Sequence, residues 1–292
     1  MTVGASGVFD VVNANTSGIT SIANAGSTDF SNSTSAGTIT ITNSGNLSFF
    51  DSSRAGSATI TNNQALRFFD AGTAFGATIT NNGSLQFFDT STAGSAVIAN
   101  GGLLQFFNAS TAGSAGITNN QTLQFHQTAT AGNAAITNTI SGTTDFSWST
   151  GPNNDHKLGA GSLNGGGTFS LGQNELTVGG NNLSTNVTGV IADGGAGGSL
   201  VKVGTGTLTL SGSNTYTGGT TVSGGTLQLG DGGTSGSIVG DVINNGVLAF
   251  NRSDAVSFAA AISGSGAVRQ VGAGTTTLSG SNSYGEIGRA HV

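Results

Sequence analysis

The sequence predicts an all-β solenoid, a chain wound into coils of about 19–23 residues that stack on one another through parallel strands. Isoleucine recurs at a constant step, at Ile22, Ile41, Ile60, Ile79, Ile98, Ile117 and Ile136. Asparagine follows two places later each time, at Asn24, Asn43, Asn62, Asn81, Asn100, Asn119 and Asn138, and phenylalanine keeps the step at Phe30, Phe49, Phe68, Phe87, Phe106 and Phe125. Within one unit, Thr78-Ile-Thr-Asn-Asn-Gly-Ser-Leu-Gln-Phe-Phe-Asp89 sets apolar residues at alternate positions on both sides of an Asn-Gly turn. That is the two-residue period of strands, not the 3.6 of helices.

One unit cannot fold alone. Its inward Ile, Leu and Phe each contribute about 1.5–3 kcal/mol on burial, while ordering the backbone costs about 1–2 kcal/mol per residue. Stacking shifts the balance, because the next coil pairs the strand edges and sets like on like at about 4.8 Å. The asparagine column shares the phase of the inward isoleucines, so each amide needs a partner. Either stacked amides donate to one another, as in cross-β ladders, or each Asn begins its turn and bonds its own backbone.

Composition supports a packed solenoid over disorder. Fifty-one glycines, one proline and few charges among 292 residues would fit a disordered chain, but the apolar columns argue against it. A net charge of −6 with only two lysines, Lys157 and Lys202, makes nucleic acid and anionic membrane surfaces poor partners. The absence of cysteine excludes disulfides and thiolate chemistry and fits export in an unfolded state. No stretch approaches the roughly 20 apolar residues of a spanning helix. Residues 1–10 lack the basic start and apolar core of a secretory signal, so the protein stays inside the cell or the sequence is a fragment.

Four segments follow in order. Residues 1–146 are read as the β-helix of 19-residue units, with Gly18, Gly37, Gly56, Gly94, Gly113 and Gly132 as a corner column. Phe75 takes that place in one unit with Gly76 after it, which predicts a local shift of the turn. In residues 147–197 the period slips, and Trp148, Pro152 and the cluster Asp155-His156-Lys157 mark a loop or a change in coil shape before looser coils resume. Residues 198–285 carry a second repeat, Ser199-Leu-Val-Lys-Val-Gly-Thr-Gly-Thr-Leu-Thr-Leu-Ser-Gly-Ser-Asn-Thr-Tyr216, which returns as Ala267-Val-Arg-Gln-Val-Gly-Ala-Gly-Thr-Thr-Thr-Leu-Ser-Gly-Ser-Asn-Ser-Tyr284. The distance from Ser199 to Ala267 suits about three coils. Residues 286–292 break this repeat: after Tyr284 a match to Thr217-Gly-Gly-Thr-Thr-Val222 is due, yet Glu286-Ile-Gly-Arg-Ala-His-Val292 appears. That closing run is what a widely used short-read sequencing adapter encodes in one frame, so it is expected to be an artefact.

The run Leu200-Val-Lys-Val-Gly-Thr-Gly-Thr-Leu-Thr-Leu-Ser-Gly-Ser-Asn-Thr-Tyr-Thr-Gly-Gly-Thr-Thr-Val-Ser-Gly-Gly-Thr-Leu-Gln-Leu-Gly230 resembles the autotransporter-associated β-strand repeat of bacterial type V secreted proteins. The 19-residue units are similar to repeats found upstream of it in the same passenger domains. The resemblance implies a right-handed parallel β-helix displayed on or released from a Gram-negative cell, a stalk or adhesin without enzymatic activity or cofactor. It implies as partners a surface glycan or matrix protein of a host or neighbouring cell, and a C-terminal β-barrel translocator that this sequence does not contain. A β-helical enzyme acting on a cell-surface polysaccharide is the alternative.

Candidate sites are few, and no catalytic, cofactor or metal residue is assigned. Glycosidase chemistry needs two converging carboxylates, and Glu175 is the only glutamate before Glu286. Asp155, His156 and Lys157 read as a solvated loop, and His126 as a substituted column residue. Asp51, Asp70 and Asp89, continued by Asn108 and Gln127, could collect a cation, but stacked like charges repel, and turn residues facing water are the expectation. The second phenylalanines, Phe50, Phe69, Phe88 and Phe107, point away from the inner ones by strict alternation. Either the backbone bends so that both rings pack inside, which is the expectation, or they form an exposed stripe that marks a partner surface.

Overall fold

The computed structural model describes residues 1–14 and 16–289, and each 19-residue unit in it is one coil. A coil contributes a strand such as Thr59–Asn62, a turn, and a second strand such as Ala65–Phe68. First strands stack into a 15-stranded parallel sheet that runs the length of the solenoid, and second strands into a 10-stranded parallel sheet that ends at Val190–Ala192. Single-residue bridges through Ser35, Arg54, Thr73, Thr92, Thr111 and Thr130 close the third side.

The sequence columns are the structural register. Ile22, Ile41, Ile60, Ile79, Ile98, Ile117 and Ile136 lie opposite one another in succession and are all buried. The inner phenylalanines stack face to face from Phe30 to Phe146 with centroids 4.7 to 5.1 Å apart and planes within 5 to 9°. Successive coils are therefore stacked with little rotation, unlike the usual twisted sheet, as expected where side-chain ladders run through it.

The buried asparagines form one of those ladders. Each Nδ2 donates to the Oδ1 of the next Asn, at 2.7 Å in every step from Asn24 to Asn119 and 2.9 Å into Asn138. The same Nδ2 also bonds turn carbonyls: that of Asn81 reaches Gly83 in its own coil and Leu103 in the next. Both partners foreseen for this column are thus used together. At the end of the ladder the Oδ1 of Asn138 accepts from the Thr144 hydroxyl at 2.9 Å.

Two expectations fail. The corner column is left-handed throughout, from φ 86° at Gly18 to 60° at Gly132, but Phe75 does not shift the turn onto Gly76 and itself adopts φ 55°. Hydrogen bonds from neighbouring coils hold that corner backbone: Gly76 N–H donates to Gly56 O and Ser95 N–H to Phe75 O. Nor do the two copies of the second repeat lie three coils apart in phase. Ser199–Lys202 sits in a six-stranded sheet, whereas its counterpart Ala267–Gln270 pairs with Val247–Phe250 in the 15-stranded sheet. One motif thus serves two different faces.

The six-stranded sheet begins at Lys157–Ala160, where the bridged third side widens into full strands. It continues through Glu175–Val178, Ser199–Lys202, Thr220–Val222, Val242–Asn244 and Ile262–Ser263. Of the segment read as adapter-derived, Glu286–Arg289 pairs with Ala267–Gln270, and residues 290–292 lie outside the described residues. Among the described residues no helix is long and apolar enough to cross a membrane.

Candidate functional site

The second phenylalanines do not fold inward. Alternation holds through Phe49-Phe50, so Phe49, Phe68, Phe87 and Phe106 are fully buried while Phe50, Phe69, Phe88 and Phe107 stand half-buried on the outside. Immediately after each outer ring the chain turns through a left-handed residue, Asp51, Asp70, Asp89 or Asn108, at φ 54 to 57°. The expected bend is absent because stacking already solves the exposure problem: the outer rings lie 4.9 to 5.0 Å apart and cover one another's faces. What the ladder offers to water is ring edges.

The column runs further than phenylalanine alone indicated. His126 stacks on Phe107 at 4.6 Å, and Trp148 follows at 6.3 Å with its plane tilted by 27°. Burial lowers the His126 pKa below its ordinary value, opposed by the nearby Asp145 carboxylate. Trp148 is 63% exposed, and its Nε1–H donates to Asp145 Oδ2 at 3.1 Å, which fixes the indole. It escapes a reading by period because the step from His126 to Trp148 is longer than the step from Phe107 to His126.

The acidic column beside the ladder consists of turn clamps. The carboxylates of Asp51, Asp70 and Asp89 accept the backbone N–H of Asn32, Asp51 and Asp70 in the preceding coil, at 2.7 to 3.2 Å. Asn108 and Gln127 accept equivalent bonds from Asp89 and Asn108. Asp155, His156 and Lys157 do not converge on one point. Lys157 pairs with Glu175 at 3.2 Å with both side chains open to solvent, while His156 Nδ1 meets Asn174 Oδ1 at 2.9 Å. Among the described residues no group of three or more His, Asp or Glu is placed to hold a metal ion.

One groove of about 450 Å³ crosses the six-stranded sheet and is lined by Glu175 and Asp241 with Ser199, Thr217, Thr220 and Thr221. Leu176, Leu200, Thr220 and Val242 occupy one column of the register, and Glu175 and Asp241 stand one place before its two ends. The two acids are thus three coils apart, roughly 14 Å along the axis, beyond the roughly 5–9.5 Å of glycosidase pairs. Each is also engaged locally, Glu175 with Lys157 and Asp241 Oδ1 with the Ala261 N–H at 2.9 Å.

Fold and side-chain columns together define a repeat rod whose chemistry is spread along its axis. Residues 200–229 and 268–285 match the passenger-associated-transport-repeat family. The chain is similar to the protein named Adhesin BmaC autotransporter of Brucella suis biovar 1 (strain 1330), at 42% identity over 94 residues. That match covers 31% of this chain and 3% of the relative, so the chain spans a small part of the length of the curated protein it matches. No solved structure matches it.

Proposed function

We propose that the chain is a non-enzymatic stretch of a surface-displayed or secreted passenger, part stalk and part adhesive surface, from the cell surface or surroundings of a Gram-negative bacterium. The observation that carries this reading is the unbroken stacking itself. Fifteen strands in one parallel sheet give a rod of roughly 65–70 Å, braced between Asn24 and Phe146 by amide and aromatic ladders, which is a device for reach and repetitive presentation. The similarity to a protein named as an adhesin supports the same reading. Its partner is a surface glycan or matrix protein of a host or neighbouring cell, and its translocating barrel lies elsewhere in the native protein.

The contact surface in this reading is the outer ladder of Phe50, Phe69, Phe88 and Phe107 with Trp148 at its end. Purified chain applied to glycan and matrix-protein arrays should bind a defined subset, and a Phe69→Ser, Phe88→Ser variant that stays folded should lose that binding. Absence of binding on every array would leave a stalk without ligand; unchanged binding by the variant would move the contact off the ladder. We read residues 286–292 as adapter-derived, and resequencing the locus across the codon for Gly285 tests this, since an open frame encoding this same run and then a stop would refute it.

A further inference from the structure

The outward side of the 15-stranded sheet carries an array for which neither stalk nor aromatic adhesion has a use. Thr40 and Thr42, Thr59 and Thr61, and Thr78 and Thr80 are outward pairs on three successive strands, in direct register from coil to coil. Five of the six are exposed and Thr61 is partly so. Thr118 and Thr137 continue the second column, and the places between are taken by Val97, Ala99, Gly116 and Ala135, so this stretch of face bears no charge.

Elsewhere the chain puts threonine hydroxyls to work. Those of Thr73, Thr92 and Thr111 accept corner N–H groups, and those of Thr90 and Thr128 donate to backbone carbonyls of the preceding coil. Among the described residues the six hydroxyls on the long sheet have no hydrogen-bond partner. They form a lattice. Along a strand they repeat at every second position, about 6.6–6.8 Å, and across strands about 4.7–4.9 Å; the stacked rings of the same coils measure 4.7 to 4.8 Å with planes within 5 to 8°. A sheet with so little twist keeps the lattice flat over several coils.

We propose that this face binds ice. The two repeats approximate the oxygen repeats on the prism face of hexagonal ice, and each threonine offers a hydroxyl to the lattice with a methyl beside it. The absence of charge favours this occupant: a surface with only neutral donors and acceptors holds no ionic partner by charge and leaves adsorbed water in place, where charged groups would impose their own hydration. Small side chains at the intervening places keep neighbouring coils from standing proud of the array. The proposal is independent of the adhesin reading, and binding to ice and binding to arrayed glycans or proteins are separate measurements.

The test is partition of the whole purified chain into slowly growing ice, with inhibition of ice recrystallisation as a second readout. The chain should be enriched several-fold in the ice fraction over an inert protein of similar size. A Thr59→Lys, Thr61→Lys variant that melts like the parent should be excluded, whereas Gln86→Lys, on the outer column of the other sheet, should partition like the parent. Should the double lysine variant not fold, Thr59→Val, Thr61→Val keeps the methyls and strand preference and removes only the hydroxyls; its enrichment should fall. Exclusion of the parent chain to the level of the inert protein overturns the proposal and leaves threonine there for its strand propensity alone, as does equal enrichment of the parent and the Thr59→Val, Thr61→Val variant.

Discussion

Residues 22–138 and residues 198–285 are both parallel solenoid, yet only the first keeps a constant step. In the first, successive coils stay in one unvarying register and an asparagine ladder runs through the interior. In the second, Thr207, Thr226, Val247 and Ala267 occupy one column in unequal steps, and the place held by Asn in the first region is taken by Leu210, Leu229 and Phe250 and then by Gln270. Apolar packing tolerates a lengthened turn, because contact between side chains is non-directional. A ladder of short, directional amide bonds asks more, since each donor must meet both the next amide and a carbonyl across the following turn; the last rung still does so across the longer turn, with Asn119 Nδ2 reaching Asn138 Oδ1 at 2.9 Å and Thr143 O at 3.0 Å. The slip comes where the ladder stops: after Asn138 the turn lengthens, and the step from Thr122 to its partner Thr143 exceeds the step from Leu103 to Thr122.

If the ladder sets the step, damaging one rung should be the most costly single change. Asn81 is fully buried, and its Nδ2 donates to Asn100 Oδ1, Gly83 O and Leu103 O. Asn81→Asp replaces that donor with an oxygen facing three acceptors, and an uncompensated buried charge costs about 3–5 kcal/mol. Burial also raises the new carboxyl's pKa above its unfolded value, so the folded form binds the extra proton. The deficit should therefore shrink as pH is lowered toward the unfolded carboxylate range and widen above it. Denaturant melts across pH check this; a loss that is small and independent of pH would show that the ladder does not carry the step.

The second region uses isolated polar side chains where the first uses a ladder, and the two copies of its motif show how. Lys202 is 1% exposed, with Nζ bonded to the carbonyls of Val203, Gly204 and Gly224 at 2.6, 3.3 and 3.2 Å. Gln270, at the same place in the second copy, bonds Gly272 and Gly274. The shared task is to satisfy turn carbonyls, which the amide does without charge. Lys202→Met should cost about 1–3 kcal/mol through carbonyls left unpaired, with Lys202→Gln close to the parent. Burial lowers the pKa of Lys202, so the unfolded chain holds that proton to higher pH. Parent stability should then rise with pH between the lowered value and the ordinary lysine range, a slope absent from both variants; identical slopes in all three would refute this account.

Much of this contrast is legible in the sequence, because a constant period turns every column into a register pair: Ile60 with Ile79, Asn62 with Asn81 and Phe68 with Phe87. What is not legible depends on quantities that periodicity omits. The spacing between Ser199 and Ala267 suggests three coils, but Ser199–Lys202 and Thr207–Leu210 are consecutive strands on different sheets, so three coils plus one strand fits equally well. The outer phenylalanines look too apolar to face out, although rings stacked this closely hide their faces without entering the core. Trp148 joins that ladder through a lengthened turn that no fixed step anticipates.

Phe75 gives the smallest expected effect and isolates the cost of a constant step. The coils above and below fix the corner at φ 67° in Gly56 and 63° in Gly94, so this residue must also be left-handed, at 55°, although it carries a bulky side chain. Such a residue loses about 1–2 kcal/mol relative to right-handed geometry, and glycine does not. Part of that cost is returned by the Arg54 guanidinium, 5.7 Å from the ring centroid, at an exposed site where a cation–π contact contributes about 0.5–1 kcal/mol. The balance predicts that Phe75→Gly raises stability by about 0.5–1 kcal/mol despite removing a large side chain. Because the contact belongs to Arg54, an Arg54→Ala background should enlarge the gain. Paired denaturant melts of the four variants in a double-mutant cycle measure it. A destabilised Phe75→Gly in the Arg54→Ala background would mean that the ring, and not the backbone angle, governs this corner.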